Sequence, residues 1–383
     1  MERLDVRTVN PAIQRGSTYL YDSVQHMQEV RTTAAELGIQ SYGISGGDLT
    51  LHWQEAFCAL ENGFRGVAVN SGLLACTLPL LSLLDTGEHL LMVDSVYEPV
   101  RTFCNKFLPR LGISVTYYDP LSTLDELDAL TTDKTRVIYL ETPGSVTFEM
   151  QDIPAIAAWA QDRGLRTIID NTWATGMYFK PLDHGIDIST HAATKYMCGH
   201  SDVIAGAIVC NEATAPLVEA TRTQMGLAIP PDEAYQGLRG LRTMAVRLPV
   251  HWQNGLKLAH YLSGREEVTN VLHPAMEQDP GHAIWSRDFK GASGLFSVVL
   301  RSDISWAQMN AFLDSLKLYG LGYSWGGFES LCVLQDPTPF RTVSQWPRPG
   351  IGNGYVLRFH AGLEDADDLI ADIEQAFHAL HKV

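Results

Sequence analysis

Short apolar runs that each stop at a polar residue recur through the first two-thirds of the chain. They are Gly66-Val67-Ala68-Val69-Asn70, Leu90-Leu91-Met92-Val93-Asp94, Val137-Ile138-Tyr139-Leu140-Glu141 and Thr167-Ile168-Ile169-Asp170. None alternates apolar with polar, so each reads as a strand buried on both faces. Helical segments separate them. One is Ile153 to Arg163, with Asp152 placed to cap it and Pro154 in its first turn. Strands alternating with helices predict an α/β fold built on a mostly parallel, doubly wound sheet. Ligands of such sheets lie at the carboxyl ends of the strands, which singles out Asp94, Glu141 and Asp170 among the carboxylates.

The pattern changes near Leu241. A long amphipathic segment (Thr243 to Leu262) precedes a strand-like run, Gly294 to Leu300. The segment from Asp365 to Leu380 places Leu369, Ile370, Ile373, Phe377 and Leu380 on one helical face, with acidic residues in the first turn where the dipole favours them. The expected organisation is an N-terminal arm (1–45), an α/β domain (46–240) and a smaller C-terminal α+β domain (241–383). The arm shows little periodicity and is expected to lie on another subunit.

Among 383 residues, 44 Asp and Glu oppose 28 Lys and Arg, a formal net charge of −16. That balance argues against a nucleic-acid partner, because phosphate backbones require clustered Lys and Arg. The most apolar stretch, Leu73 to Leu84, is interrupted by Thr77, Pro79 and Ser82 and is shorter than the ~20 residues of a membrane span. The opening Met1 to Asp5 has no apolar core, so no secretory leader is expected. Six cysteines (Cys58, Cys76, Cys104, Cys198, Cys210, Cys332) are scattered without CxxC or any short metal-ligand spacing. They read as free thiols in apolar surroundings, in a reducing cytoplasm, and no metal is expected.

The candidate chemistry centres on Asp170 and Lys195. Asp170 ends a buried strand, where a lone charge is costly and calls for a partner. Lys195 follows in a segment of low charge, Thr190-His191-Ala192-Ala193-Thr194. A partly desolvated lysine has a lowered pKa and can act as an amine nucleophile. With a strand-end carboxylate it suits pyridoxal phosphate, the carboxylate holding the ring nitrogen protonated; a plain buried ion pair fits the spacing equally well. Asn70-Ser71-Gly72-Leu73 reads as a strand end leading into a helix N-terminus, an anion site in principle. An ordinary strand-to-helix turn reads the same way.

Larger motifs narrow the choice. Asp170-Asn171-Thr172, Ala193-Thr194-Lys195-Tyr196 and Gly199-His200-Ser201-Asp202 resemble the signature of the Cys/Met-metabolism pyridoxal-phosphate enzymes, whose fold is of the aspartate-aminotransferase type (PLP fold type I). The resemblance runs nearly end to end. It includes Val9-Asn10-Pro11, Arg15-Gly16-Ser17-Thr18, Gly237 to Thr243, Ser293 to Phe296 and Leu357 to Glu364. Glu141-Thr142-Pro143-Gly144-Ser145 and Tyr323-Ser324-Trp325-Gly326-Gly327 are similar to the bacterial cystathionine β-lyase branch.

The resemblance implies pyridoxal 5'-phosphate as cofactor and a small amino acid as substrate. It implies that Lys195 carries the cofactor covalently and shuttles the Cα proton, that Asp170 pairs with the ring nitrogen, and that Tyr97 stacks on the ring and handles the substrate amine. The amides of Gly72 and Leu73, the Thr194 hydroxyl and Tyr42 would hold the phosphate. Arg358 would clamp the substrate carboxylate with Ser324 and Trp325. Relatives place the site between two subunits, so the resemblance also implies a homo-oligomer, a dimer of dimers, in which Tyr42 serves the neighbouring subunit.

Two positions depart from the family pattern. The family presents Tyr-x-Arg to the phosphate, and here Tyr42-Gly43-Ile44 puts Ile44 in the place of arginine, with no Lys or Arg between Arg31 and Arg65. Ala192 stands where the family has serine. Losing one charge-assisted bond to a dianion costs about 1.5–3 kcal/mol, so either neutral donors such as Ser45 compensate or affinity for the cofactor falls.

The leading expectation is a carbon–sulfur β-lyase. A γ-acting relative (synthase, lyase or sulfhydrylase), an eliminase acting on another amino acid, and a catalytically silent binding protein remain alternatives. A hydrolase built on His200, Ser201 and Asp202 does not fit, because adjacent residues cannot form the side-by-side relay and no GxSxG elbow is present.

Overall fold

The apolar runs pair into one seven-stranded sheet in a computed structural model that describes residues 8–37 and 42–383. Its strands are β1 (Arg65–Val69), β2 (His89–Val93), β3 (Ser114–Tyr118), β4 (Thr135–Glu141), β5 (Arg166–Asp170), β6 (Ile188–His191) and β7 (Gly206–Cys210), in the order β1-β7-β6-β5-β4-β2-β3. The run β6-β5-β4-β2-β3 is parallel, and β7 alone is reversed, antiparallel to both β6 and β1. The carboxyl ends of β1, β2, β4, β5 and β6 therefore share one edge. The β6–β7 connection, which carries Lys195, crosses that same edge. Central strands are buried on both faces (β2 and β7 along their whole length), which is why their sequences do not alternate.

The anticipated helix Ile153–Asp162 forms, with Asp152 accepting from the Ala155 N–H at 3.2 Å. A second sheet, wholly antiparallel, has the order β10 (Leu331–Gln335), β11 (Val356–His360), β9 (Leu295–Leu300), β8 (Val268–Leu272). Helices Trp306–Ser315 and Ala366–Leu380 pack beside it, with the Phe312 and Phe377 rings 4.8 Å apart. Leu369, Ile373, Phe377 and Leu380 are buried, as their spacing predicts.

Two elements differ from expectation. The amphipathic segment near Thr243 belongs to one long helix, Pro231–Ser263, which begins earlier and runs through the expected boundary at 241. Gly237 and Gly240 look like breaks in the sequence but are close approaches. A Cβ at Gly240 would lie 2.2 Å from the Cys198 carbonyl oxygen, and one at Gly237 2.6 Å from the Trp53 ring. The helix thus lies against the segment that follows Lys195. Leu238, Met244 and Leu248 join the core around the large sheet, and Leu258, Ala259 and Leu262 the core beside the small one.

The other difference is a helix, Val24–Leu37, within the supposedly aperiodic arm. It is rich in good helix formers, and the Ser23 hydroxyl accepts from the His26 N–H at 3.0 Å. Val24 and Met27 are exposed, so no apolar stripe revealed it. All six cysteines are free and buried. Among the described residues no helix is long and apolar enough to cross a membrane.

Candidate active site

The shared strand edge opens onto a cavity of about 370 Å³, inside the range of small-molecule sites (roughly 300–1,000 Å³). Its lining comes from Ser71, Gly72 and Leu73 after β1, Tyr97 after β2, Glu141 to Phe148 at the end of β4, and Asp170, Thr172 and Trp173 at the end of β5. Ala192, Thr194 and Lys195 follow from the β6–β7 connection. Tyr323, Ser324, Trp325 and Arg358 close it from the side of the small sheet. Every expected site residue lines this cavity except Tyr42, which is 56% exposed.

Lys195 sits in a tight segment pinned by its own backbone. The Lys195 N–H donates to the Ala192 carbonyl, the Gly199 N–H to that of Lys195, and the Thr194 N–H to that of Ala205. The buried Tyr196 hydroxyl accepts from the Gly294 N–H at 3.0 Å and wedges the segment against β9. The Lys195 ammonium donates to Ser324 Oγ at 2.6 Å and lies 5.3 Å from the Trp325 ring centroid. Burial pulls its pKa down to about 8, with the Arg358 guanidinium pushing the same way and Asp170 opposing. A tenth of the amine is therefore neutral near pH 7, far more than for an ordinary lysine.

Asp170 is held in place by Thr172, whose N–H (2.9 Å) and hydroxyl both donate to Oδ1. The same Thr172 hydroxyl oxygen accepts from the Ala192 N–H at 2.9 Å, which ties the end of β5 to the lysine segment. Cys76 Sγ lies 3.4 Å from Asp170 Oδ2.

Three strand-end carboxylates looked alike in the sequence, and the structure separates them. Asp94 is fully buried and accepts from Arg101 and from the backbone N–H groups of Thr342, Val343 and Ser344, with the Thr342 and Ser344 hydroxyls as well. These bonds outweigh burial and hold its pKa at about 2. Its task is to fasten the 341–344 loop. Glu141 faces the cavity and accepts from the Tyr97 N–H at 2.7 Å. Burial first, then Asp170, pushes its carboxyl well above the usual range, favouring the neutral acid. Only Asp170 is placed opposite Lys195 as a candidate counter-ion for a ligand.

Arg358, on the central strand β11, is half-buried and donates to the Ser324 carbonyl at 3.2 Å. Burial lowers its pKa, opposed by Tyr97, Cys332 and Tyr323. Burial raises the Tyr97 phenol pKa, with Cys76 and Asp170 adding to it and Arg358 opposing. At the other end, helix Gly72–Leu83 starts on the cavity wall. Ser71 caps the Leu74 N–H, and among the described residues the Gly72 and Leu73 N–H groups have no acceptor.

The residue profile of the family described as Cys/Met metabolism PLP-dependent enzyme matches residues 2–378. The chain belongs to this family. It is an enzyme, and its cofactor is pyridoxal 5'-phosphate. A putative cystathionine β-lyase of Rhizobium johnstonii is 46% identical over 98% of this chain and 92% of its own. The cystathionine β-lyase MetC of Escherichia coli is 40% identical over 96% and 93%. The crystal structure of a cystathionine γ-synthase from Xanthomonas oryzae pv. oryzae, in complex with aminoacrylate and cysteine, superposes with a TM-score of 0.86 at 30% identity, covering 98% and 94% of the two chains.

The residues present fit the cofactor of this family. The free N–H pair at Gly72 and Leu73 sits at a helix N-terminus, where an anion is favoured. A Cβ at Gly72 would come within 2.4 Å of Ala192 Cβ, so the close approach of that turn to the lysine segment requires glycine. Ile44 supplies no cation. Its carbonyl accepts from Arg222 at 3.4 Å, and Arg222 is already paired with Glu219 at 3.0 Å. The Ser45 side chain, named above as a compensating donor, lies outside what the structure describes.

Val146, Phe148 and Ile204 also line the cavity, and no motif in the sequence pointed to them. Val146 and Phe148 have left-handed φ (68° and 59°), a conformation no sequence signal announces in such residues.

Proposed function

We propose that this enzyme cleaves the Cβ–S bond of L-cystathionine, or of a closely related cysteine S-conjugate, by α,β-elimination, releasing a thiol (homocysteine), pyruvate and ammonia. The observation that carries the reading is the amine of Lys195, near pKa 8 and bonded to Ser324, facing Asp170 and Arg358 across one cavity. The names and identities of the β-lyase relatives support the β over the γ reaction.

Pyridoxal phosphate, held beside the Asp170 carboxylate, would supply an electron sink that acidifies the Cα–H of a bound amino acid. Lys195 would hold the cofactor, and its amine would take up the Cα proton of the substrate. Asp170, oriented by Thr172, would keep the ring nitrogen protonated. Tyr97 would stack on the ring and orient the substrate amine. Arg358, with Ser324 and Trp325, would fix the α-carboxylate through a two-point contact. The helix start at Gly72 and Leu73, with the Thr194 hydroxyl, would receive the phosphate.

We place Tyr42 at the phosphate of a neighbouring subunit, in a cytoplasmic dimer of dimers. Its exposure and its absence from the cavity wall of its own chain support this.

The test is product analysis with L-cystathionine. Pyruvate with homocysteine is the expected result, and 2-oxobutyrate with cysteine would replace it by the γ reaction. Lys195→Ala should abolish release; retained turnover would end the assignment of that residue.

A further inference from the structure

Behind the Ser324–Gly327 loop lies a layer of buried polar groups that the proposed chemistry does not use. Ser324 and Gly326 both have φ of +85°. A Cβ at Gly326 would come within 3.0 Å of Lys195 Cα and 2.9 Å of the Tyr196 nitrogen. The loop therefore rests directly on the Lys195 backbone, and any shift moves Ser324 Oγ relative to Lys195 Nζ.

On its other side the loop is held by one imidazole. His360 lies two residues beyond Arg358 on β11 and is buried. Its Nε2 is 3.0 Å from the Gly326 nitrogen and 3.1 Å from the Gly327 carbonyl oxygen. One nitrogen cannot serve both, because the N–H needs a bare lone pair and the carbonyl needs a proton.

The neighbouring His251 decides between them. Its Nδ1 is 2.8 Å from the Ala361 carbonyl oxygen, which only accepts, so Nδ1 carries the proton and Nε2 is bare. His251 Nε2 and His360 Nδ1 are both buried without a partner, on rings whose centroids are 5.2 Å apart. A proton on His360 Nε2 would leave two bare nitrogens without a donor and the buried Gly326 N–H without an acceptor, each costly. A proton on Nδ1 satisfies Gly326 and makes the two orphan nitrogens a complementary donor and acceptor, at the smaller cost of leaving the Gly327 carbonyl oxygen without this donor.

We infer that His360 is a positioning residue: a neutral imidazole, protonated on Nδ1, whose Nε2 lone pair anchors Gly326 and so sets Ser324 and Trp325 against Lys195 and Arg358. Burial, His251, Arg358 and Lys195 all oppose a second proton on it, and only the Gly327 carbonyl favours one. The inference rests on the proposed reading of the cavity as an amino-acid site.

The experiment compares cofactor-loaded wild type, His360→Gln and His360→Phe. Gln offers a carbonyl oxygen near the place of Nε2, whereas Phe fills the space without an acceptor. Glycine, which has no Cβ to eliminate from, serves as the probe, its apparent Kd read from the visible band of the cofactor. His360→Phe should weaken glycine binding and raise KM for cystathionine about tenfold or more, and speed amide exchange in the segment 320–331. His360→Gln should stay within about threefold of wild type. Equal behaviour of His360→Phe and wild type, or equal loss in both variants, overturns the inference. Should His360→Phe not fold, imidazole 15N shifts of labelled wild type still decide, since a proton on His360 Nε2 overturns it. A wild type that binds the cofactor but never responds to glycine overturns the functional reading, and this inference with it.

Discussion

Lys195 Nζ and Ser324 Oγ lie 2.6 Å apart, although 129 residues separate them in the chain. The bond ties the amine on the large-sheet edge to a loop that joins the small sheet. Ser324 holds its place in a left-handed conformation that costs a non-glycine residue about 1–3 kcal/mol. Strain of this kind persists only where the surroundings over-determine it, and here Arg358, Lys195 and His360 all grip the same four-residue loop.

The depressed pKa of Lys195 predicts a pH-dependent stability. The folded amine titrates near 8 and the unfolded one near 10.5, so the unfolded state binds more protons between those values. Stability of the cofactor-free protein should therefore rise with pH across that window. Lys195→Met should be more stable than wild type by roughly 1–3 kcal/mol at pH 7, the range allowing for partial solvent screening. The advantage should shrink as pH rises through 8 toward 10.5. Urea unfolding of both proteins at pH 7 and pH 10 checks it, and a difference that does not change with pH counts against a desolvated amine.

Asp94 has the opposite sign. Its folded pKa of about 2 lies below the ordinary 3.8, so its charged form contributes about 2 kcal/mol that is present above pH 4 and lost as pH falls through 2. Asp94→Ala also leaves the buried Arg101 without its counter-ion and three backbone N–H groups without an acceptor. The expected cost at pH 7 is on the order of 3–5 kcal/mol, measured by thermal or urea unfolding and narrowing toward pH 2.

Arg358→Lys should raise KM for cystathionine by about ten- to a hundredfold. The substitution keeps the charge and loses the planar two-point fork, and the lysine is more strongly hydrated than the guanidinium it replaces. Arg358→Ala should lose more. Steady-state kinetics over a wide substrate range separate KM from kcat, and an unchanged KM in both variants would remove Arg358 from the carboxylate site.

Ile44→Arg should tighten binding of the cofactor. The side chain of Ile44 lies near Gly226, where a Cβ would sit 3.7 Å from it, and stands where the family has an arginine facing the phosphate. Restoring a charge-assisted bond of about 1.5–3 kcal/mol should lower the cofactor Kd roughly ten- to a hundredfold. The gain should fade with added salt. Spectroscopic titration at two ionic strengths measures both.

Much of the site was legible in the chain because its residues sit at strand ends and in contiguous motifs. Asp170 closes β5, Gly72 opens a helix after β1, and Lys195 lies in a segment with little competing charge. The strand β3 was harder to read, as it is an edge strand whose first residues are exposed or half-buried. The helix Val24–Leu37 escaped because its few apolar residues form no continuous stripe in the sequence.

Local pattern and motif thus determined the α/β class, the family, the cofactor and most of the candidate residues, since propensity, periodicity and short-range spacing are properties of neighbours in the chain. Tertiary structure alone decided what the other two strand-end carboxylates do, because Asp94 is claimed by a loop some 250 residues further on and Glu141 accepts from the Tyr97 N–H. It also decided the state of Lys195 and the anchoring of Gly326 by His360. Those depend on burial and on partners brought together from both sheets, and a pKa or a tautomer is set by the groups that surround an atom in space, not by those beside it in the sequence.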